Sequence, residues 1–143
     1  MNLTTLIKQY FPLSGNDVTI DVFDEKNIYD VYQRVVGVLT QYLEIETTVL
    51  QAVSYCFYEM LDNVLIHSGK EMGTVITHYD AVGHVLSFLV ADDGQGVLAS
   101  LLENEEYKGL SESEALKLCI KDAVTDGKGM GFGLYSTSLL ARD

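Results

Sequence analysis

Apolar residues recur at helical spacing in three parts of the chain. They predict a short helix in residues 1–10 and longer helices over Ile28 to Leu43 and Thr47 to His67. Ser111, followed three residues later by Glu114, is typical of the start of a further helix, because each side chain can bond the other residue's backbone N–H. The pattern therefore indicates a chain rich in helices.

Strand signals stand between and after these helices. Apolar and polar side chains alternate over residues 18–23, which predicts a short strand. Thr74 to Tyr79 and Val85 to Ala91 are rich in β-forming residues and flank the turn residues 80–83, which predicts a β-hairpin. Residues 95–128 follow as a mobile insertion with helical pieces. We expect a two-layer α/β sandwich, with helices packed on one face of a mixed, mostly antiparallel sheet.

Length and composition fit one domain with one core. The chain has 143 residues, of which 48% are hydrophobic, so residues 1–143 are expected to form a single domain. Its 9 Lys and Arg against 21 Asp and Glu give a formal net charge of -12, which argues against a nucleic-acid partner. With neither a signal peptide nor a membrane-length apolar run, we expect a cytoplasmic protein without a membrane partner. Cys56 and Cys119 lack metal-site spacing and are expected to be reduced core residues.

The first candidate site is a polar stripe on the helix predicted over residues 47–67. Glu59, Asn63 and His67 follow one another at four-residue intervals, so they share one helix face opposite an apolar one. Alone, such a stripe is more typical of the solvated side of an amphipathic helix. Its chemical interpretation is that Glu59 acts as a base and Asn63 supplies an oxygen ligand to a hard cation.

The second candidate site is the segment Asp92-Asp-Gly94-Gln-Gly96, directly after the apolar run that ends at Ala91. A carboxylate at a strand end, followed by two spaced glycines, permits a hydrogen bond to the edge of a ring and a close approach of the backbone. An ordinary acidic turn explains the same residues equally well.

The third candidate site is a glycine-rich loop over residues 127–133, directly before a helix predicted over Leu134 to Arg142. Its alternating glycines let backbone N–H groups surround phosphate oxygens, and the helix N-terminus adds a positive partial charge. A flexible hinge without a ligand is the alternative. No strand runs directly into the loop and no Ser or Thr follows Lys128, so it is neither a dinucleotide-binding fingerprint nor a Walker A loop.

In this order, the three sites resemble the motifs of the GHKL superfamily of histidine kinase-like ATPases. Glu59-x-x-x-Asn63 with His67-Ser68 is similar to the N-box, Asp92-x-Gly94-x-Gly96 to the G1 box and Gly129-x-Gly131-x-Gly133-Leu134 to the G2 box. The resemblance covers residues 47–142 and implies the Bergerat ATP-binding fold. Residues 1–16 would precede it as a helix and turn, and residues 95–128 stand where the family keeps its ATP lid.

The resemblance also implies roles for these positions. Asn63 would hold Mg²⁺, which bridges the phosphates of ATP, and Glu59 would be the catalytic base that orients a water or a hydroxyl group. Asp92 would accept a hydrogen bond from the adenine amino group. The other implied nucleotide contacts are Gly94, Gly96, Lys128, Gly129, Gly131, Gly133 and Leu134.

The implied function is that of a Mg-ATP-dependent, kinase-like regulator that passes a phosphoryl group from ATP to a partner protein. Anti-sigma serine kinases and detached sensor-kinase catalytic domains are the closest in style, so the partner would be a sigma factor, an anti-sigma antagonist or a response regulator. Three alternatives stay open: a non-catalytic ATP-dependent interaction switch, an ATP hydrolase of the same superfamily, and a small α/β protein with accidental motifs.

Two departures from the family pattern bear on this function. No helical phosphoacceptor segment precedes the motifs, so autophosphorylation in the manner of a complete histidine kinase is not expected. The chain ends at Asp143, before the closing strands that the family normally has. We therefore expect a sheet that lacks its C-terminal strands and offers an edge to a partner or to a homodimer.

Overall fold

The computed structural model describes residues 2–11 and 18–118. The elements in these ranges follow in this order: helix α1 (Leu3–Tyr10), strand β1 (Val18–Asp24), helices α2 (Ile28–Tyr42) and α3 (Thr47–His67), strands β2 (Met72–Asp80) and β3 (Val85–Ala91), and short helices α4 (Gly96–Leu101) and α5 (Glu112–Leu118), with a 3-10 turn over Glu105–Tyr107. Each helix and strand predicted within these ranges is confirmed to within two residues at either end. The helix predicted over Leu134 to Arg142, like Cys119, lies outside the described residues.

The three strands form one antiparallel sheet in the order β1-β2-β3. Asp21 of β1 lies opposite Val75 of β2, which lies opposite Val90 of β3. Residues directly opposite one another share a face, and that face alternates along each strand. In the described part of the chain the sheet is therefore antiparallel throughout, with β2 as its central strand.

Helices α2 and α3 cover one face of this sheet. The buried positions of α2 are Ile28, Val31, Val35 and Leu39, spaced by three or four residues, and they make one apolar stripe. All of these positions except Leu39 pack in one hydrophobic cluster with residues of α3 and of the sheet, namely Phe57, Leu61, Val64, Phe23 and Val75. This layer of helices on a sheet is the α/β arrangement that the sequence predicted.

Gly73 lets α3 approach the sheet closely. A Cβ atom at this position would lie 2.4 Å from Cζ of Phe23 and 2.7 Å from Cγ1 of Val64. Any side chain here would push the sheet and the last turns of α3 apart. Because Gly73 has no side chain, the C-terminal end of α3 can lie beside the end of β3, where the first two candidate sites lie.

A buried carboxylate also joins α2 to the sheet. Asp21 is 7% exposed and lies 2.5 Å from Nη1 of Arg34, whose side chain is 55% exposed. The guanidinium thus offsets the cost of burying the Asp21 charge while its outer part stays in water.

The opposite face of the sheet is partly covered. Ile20 and Val22 are 44% and 52% exposed, whereas Ile76 is fully buried. Phe11, at the end of α1, packs edge to face on His78 with ring centroids 6.3 Å apart. His78 lies three residues from Val75 and hence on the other face, so α1 ends on the side away from α2 and α3. The prediction of helices on one face did not include this contact.

Within the described ranges, none of the helices combines the length and the apolar character needed to cross a bilayer. Cys56 is a half-buried thiol on α3 rather than a core residue.

Candidate functional site

The first candidate site lies on the half-buried side of α3. Glu59, Asn63 and His67 are each partly exposed, and they lie across the helix from its buried apolar stripe. Because an α-helix rises about 1.5 Å per residue, roughly 6 Å of helix axis separates successive members. The three polar side chains are thus half-buried, and both interpretations of this helix face stay open.

Asn63 has an unsatisfied amide group. Its Nδ2 atom is buried and has no hydrogen-bond partner in the part of the chain that the structure describes. Leaving such a donor unpaired costs about 1–3 kcal/mol. The Oδ1 atom of the same amide is an oxygen ligand of the kind that Mg²⁺ prefers.

Mg²⁺ usually keeps several waters and takes its other ligands from one or two protein oxygens and from substrate phosphates. In residues 2–11 and 18–118, no three His, Cys, Asp or Glu side chains are grouped in a way that would hold a metal ion.

Glu59 lines a groove between α2 and α3. The groove has a volume of about 530 Å³, and four tyrosines are prominent in its lining. They are Tyr29 and Tyr32 of α2 and Tyr55 and Tyr58 of α3. Neither Asn63 nor Asp92 lines it, so Glu59 stands between this groove and the flank of α3 that carries Asn63.

The sequence analysis missed the tyrosine groove, although a signal was present. Tyr29 and Tyr32 are three residues apart, as are Tyr55 and Tyr58, and this spacing places each pair on one helix face. Only the packing of α2 against α3 brings the two pairs together.

The second candidate site forms a tight turn after β3. Oδ1 of Asp92 accepts a hydrogen bond from the backbone N–H of Gly94 at 2.6 Å. The Asp92 side chain is exposed, and its second oxygen, Oδ2, makes no hydrogen bond to the described residues. One oxygen of Asp92 therefore shapes the turn, and the described residues leave the other without a hydrogen bond.

This turn docks on the C-terminal end of α3. The backbone N–H of Gln95 donates to the carbonyl oxygen of Ser68 at 2.8 Å, and Nε2 of Gln95 donates to the carbonyl oxygen of His67 at 3.1 Å. The last carbonyls of a helix have no partner within the helix, so Gln95 satisfies two groups that need one. The structure thereby joins the Asp92 turn to the His67–Ser68 end of α3.

Only a glycine fits at position 94 of this junction, because there is no room for a side chain. A Cβ atom on Gly94 would lie 2.4 Å from Cβ of Ser68 and 2.5 Å from its carbonyl oxygen. Gly96 differs, because nothing lies within 4 Å of its position for a Cβ atom, while its φ of +79° favours glycine. A close backbone approach was expected of both glycines. Gly94 makes one, and its neighbour is Ser68. Gly96 makes none with the described residues and instead begins α4.

The segment after this turn contains the helical pieces that the sequence predicted, as far as Leu118. Nε2 of Gln95 also donates to Oε1 of Glu103 at 2.8 Å. One side chain therefore joins the end of α3, the Asp92 turn and the beginning of the predicted lid.

The helix start predicted at Ser111 is confirmed. Oε2 of Glu114 accepts hydrogen bonds from the Ser111 N–H at 2.9 Å and from the Ser111 hydroxyl at 2.6 Å. The hydroxyl and then the backbone N–H of Ser111 lower the pKa of Glu114 from its ordinary value. This reciprocal pair defines the start of α5.

The third candidate site lies outside the described residues. Lys128, Gly129, Gly131, Gly133 and Leu134 all belong to it, and the phosphate-binding loop stays a prediction.

Comparison of the chain with protein-family models, with curated proteins and with solved structures finds no match. The resemblance to the GHKL superfamily therefore rests on the three sequence motifs alone.

Proposed function

We propose that this chain is a Mg-ATP-binding regulator with the Bergerat fold, which transfers a phosphoryl group from ATP to a partner protein. The observation that carries the proposal is the docking of Gly94 and Gln95 on the end of α3. This docking supports the proposal because it joins the segment that resembles the G1 box to the end of the segment that resembles the N-box.

The residues of this place would divide the work of binding. Asn63 would hold Mg²⁺ through Oδ1. Oδ2 of Asp92 would accept from the adenine amino group, since Oδ1 is engaged with Gly94. Mg²⁺, when bound, neutralises charge on the phosphates. The glycine-rich loop with Gly129, Gly131 and Gly133 would enclose them.

Glu59 would orient the hydroxyl group of the partner. It stands one helical turn before Asn63, about 6 Å away along the helix axis, and is half-buried. A carboxylate in this place can position a hydroxyl or accept its proton during phosphoryl transfer.

Calorimetric titration with Mg-ATP and with Mg-GTP tests nucleotide binding and the role of Asp92. In Asp92→Asn, the Asn Oδ1 can still accept from Gly94, but an amide NH₂ replaces the oxygen offered to adenine. Because a hydrogen bond to a charged group contributes about 1.5–3 kcal/mol, ATP affinity should fall roughly 10-fold to 100-fold.

Asp93→Asn is the matched control, because it removes the neighbouring exposed carboxylate and should leave ATP affinity within about twofold, less than 0.5 kcal/mol. Equal binding of ATP and GTP, no binding of either, or equal weakening by the two substitutions would contradict the proposal.

Glu59→Gln separates transfer from binding. The neutral amide keeps the size of the side chain and loses its basicity, so ATP affinity should persist while formation of ADP stops. ADP release by the full chain can be followed chromatographically. Unchanged ADP formation in Glu59→Gln would remove Glu59 from the catalytic role.

One observation favours the second candidate, an ATP-dependent interaction switch. Gln95 connects the Asp92 turn both to α3 and to Glu103, so a nucleotide at Asp92 would act on the segment after it. Gln95→Ala should then keep ATP binding but lose any ATP-induced protection of residues 96–118 from amide hydrogen exchange. If Glu59→Gln leaves partner binding responsive to ATP, the switch is the function.

A further inference from the structure

The tyrosine groove between α2 and α3 has a rigid aromatic floor and an exposed aromatic rim. At its floor, the rings of Tyr32 and Tyr58 meet edge to face with centroids 5.3 Å apart, and Tyr29 stacks on Tyr32 at 5.9 Å. At its rim, Tyr29 is 58% exposed and Tyr55 is 41% exposed. Tyr32 also stacks on Phe57, with ring centroids 6.3 Å apart, so neighbouring rings cover its faces. The exposed rings of Tyr29 and Tyr55 are therefore the ones that a ligand would contact.

The charge at the groove is negative. Glu59 is the ionisable acid in its lining, and no Lys, Arg or His of the described residues lines it. The basic residue in the middle of α2, Arg34, is bound to Asp21 of the sheet instead. The π-faces of aromatic rings also carry partial negative charge. A groove built from these groups complements a cation that can lie flat on a ring.

The guanidinium group of arginine matches this site better than an ammonium group does. It is planar, it stacks on aromatic faces, it is weakly hydrated, and its fork of N–H donors fits a carboxylate such as that of Glu59. The groove volume of about 530 Å³ exceeds that of one guanidinium, so residues flanking the arginine would also be accommodated, against Val36 and Leu50 of the lining. Exposed tyrosines are enriched at protein interfaces.

We propose that the tyrosine groove binds an arginine side chain presented by a segment of a protein partner. This groove shares Glu59 with the proposed transfer site, whereas Asn63 and Asp92 do not line it. The inference goes beyond the proposed function, because the groove can bind an arginine when no nucleotide is present.

A ¹⁵N NMR titration of the full chain tests the proposal with the peptide acetyl-Gly-Ala-Arg-Ala-Gly-amide. Saturable shifts are expected at amides of residues 29–36 and 51–59. The same peptide with neutral citrulline in place of arginine should bind at least about fivefold more weakly, since the cation is removed and the shape kept. Raising the salt concentration should weaken arginine binding, because the ion pair is near the surface.

Rim variants locate the binding, because substitutions at such exposed positions change the free energy of unfolding by only about 0.5 kcal/mol. Tyr29→Leu and Tyr55→Leu should each weaken the peptide about threefold or more, whereas Tyr29→Phe, which retains a ring face, should stay within about twofold of the wild type. Tyr10→Leu, on α1 and 55% exposed, is the control outside the groove. Asp92→Asn should leave peptide binding unchanged, which separates this test from that of nucleotide binding.

Several outcomes would overturn the proposal. They are the absence of saturable shifts, equal binding of the arginine and citrulline peptides, and full binding by a Tyr29→Leu/Tyr55→Leu double variant. Free N-acetylarginine amide binding as tightly as the peptide would also count against it, because the occupant would then be a small cation rather than a protein segment.

Discussion

Replacing Gly94 with alanine tests whether the Asp92 turn and the end of α3 form one unit. The new Cβ atom would lie 2.4 Å from Cβ of Ser68 and 2.5 Å from its carbonyl oxygen. The carbonyl is part of the backbone, so a change of rotamer cannot relieve the overlap. The turn must therefore move away from the helix.

The size of the movement follows from these distances. Separating the two Cβ atoms from 2.4 to 3.4 Å, where ordinary contact begins, needs a shift of 3.4 − 2.4 = 1.0 Å. The same shift would stretch the bonds from Gln95 to Ser68 and His67, now 2.8 and 3.1 Å, beyond hydrogen-bonding range. Two hydrogen bonds are worth about 1–3 kcal/mol together. Alanine lowers the entropy of the unfolded chain, which offsets about 0.4–1 kcal/mol. The expected net loss is therefore about 1.3 kcal/mol at the middle of these ranges and about 2.6 kcal/mol at most.

Urea unfolding followed by circular dichroism at the helix band measures this loss. Tryptophan fluorescence is not an option, because the chain has 0 Trp. Gly37→Ala is the matched control: it makes the same change inside α2, where nothing lies within 4 Å of the added atom, and should stabilise the protein by about 0.5–1 kcal/mol. If the two variants shift the unfolding midpoint in the same direction by similar amounts, the close contact between Gly94 and Ser68 does not exist in solution.

Three further results are expected. Arg34→Met should lower the free energy of unfolding by about 1–3 kcal/mol, because the buried Asp21 loses its partner, and adding Asp21→Asn should restore most of that loss in the same urea assay. Ser111→Ala should raise the pKa of Glu114, which carboxyl ¹³C NMR measures. Because that pKa is lowered in the folded protein, the cap stabilises α5 above the unfolded value of 4.5, and this stabilisation is lost as the pH falls through the folded pKa. Amide exchange in α5 should therefore quicken on acidification in the wild type and show little such pH dependence in the variant. Asn63→Ala should change the free energy of unfolding of the apo protein by less than about 1 kcal/mol, since it removes a donor that no described residue satisfies. The same variant should lose all stabilisation by Mg-ATP in a thermal-shift assay. A large loss of apo stability would show that the Asn63 amide has a structural partner.

Local sequence determined the elements of this protein. The stripes of α2 and α3 and the alternation in β1 are periodic over many residues, and period alone separates helix from strand. The reciprocal bonds of Ser111 and Glu114 arise between residues three apart, so the sequence contains everything needed to predict them. The polar face of α3 followed from the same spacing, because Glu59 and Asn63 stand one turn apart on any helix.

Tertiary structure alone decided which of these faces meet. Nothing in the local sequence indicates that Gln95 bonds the carbonyl groups at the end of α3, or that Gly94 lies against Ser68. In each case the partner is 26 or more positions away. The partners meet because α3 packs closely on the sheet at Gly73. The tyrosine groove has the same origin. Spacing puts each pair of tyrosines on a helix face, but the free energy that joins the pairs comes from burial of the shared apolar core, which depends on all the elements at once.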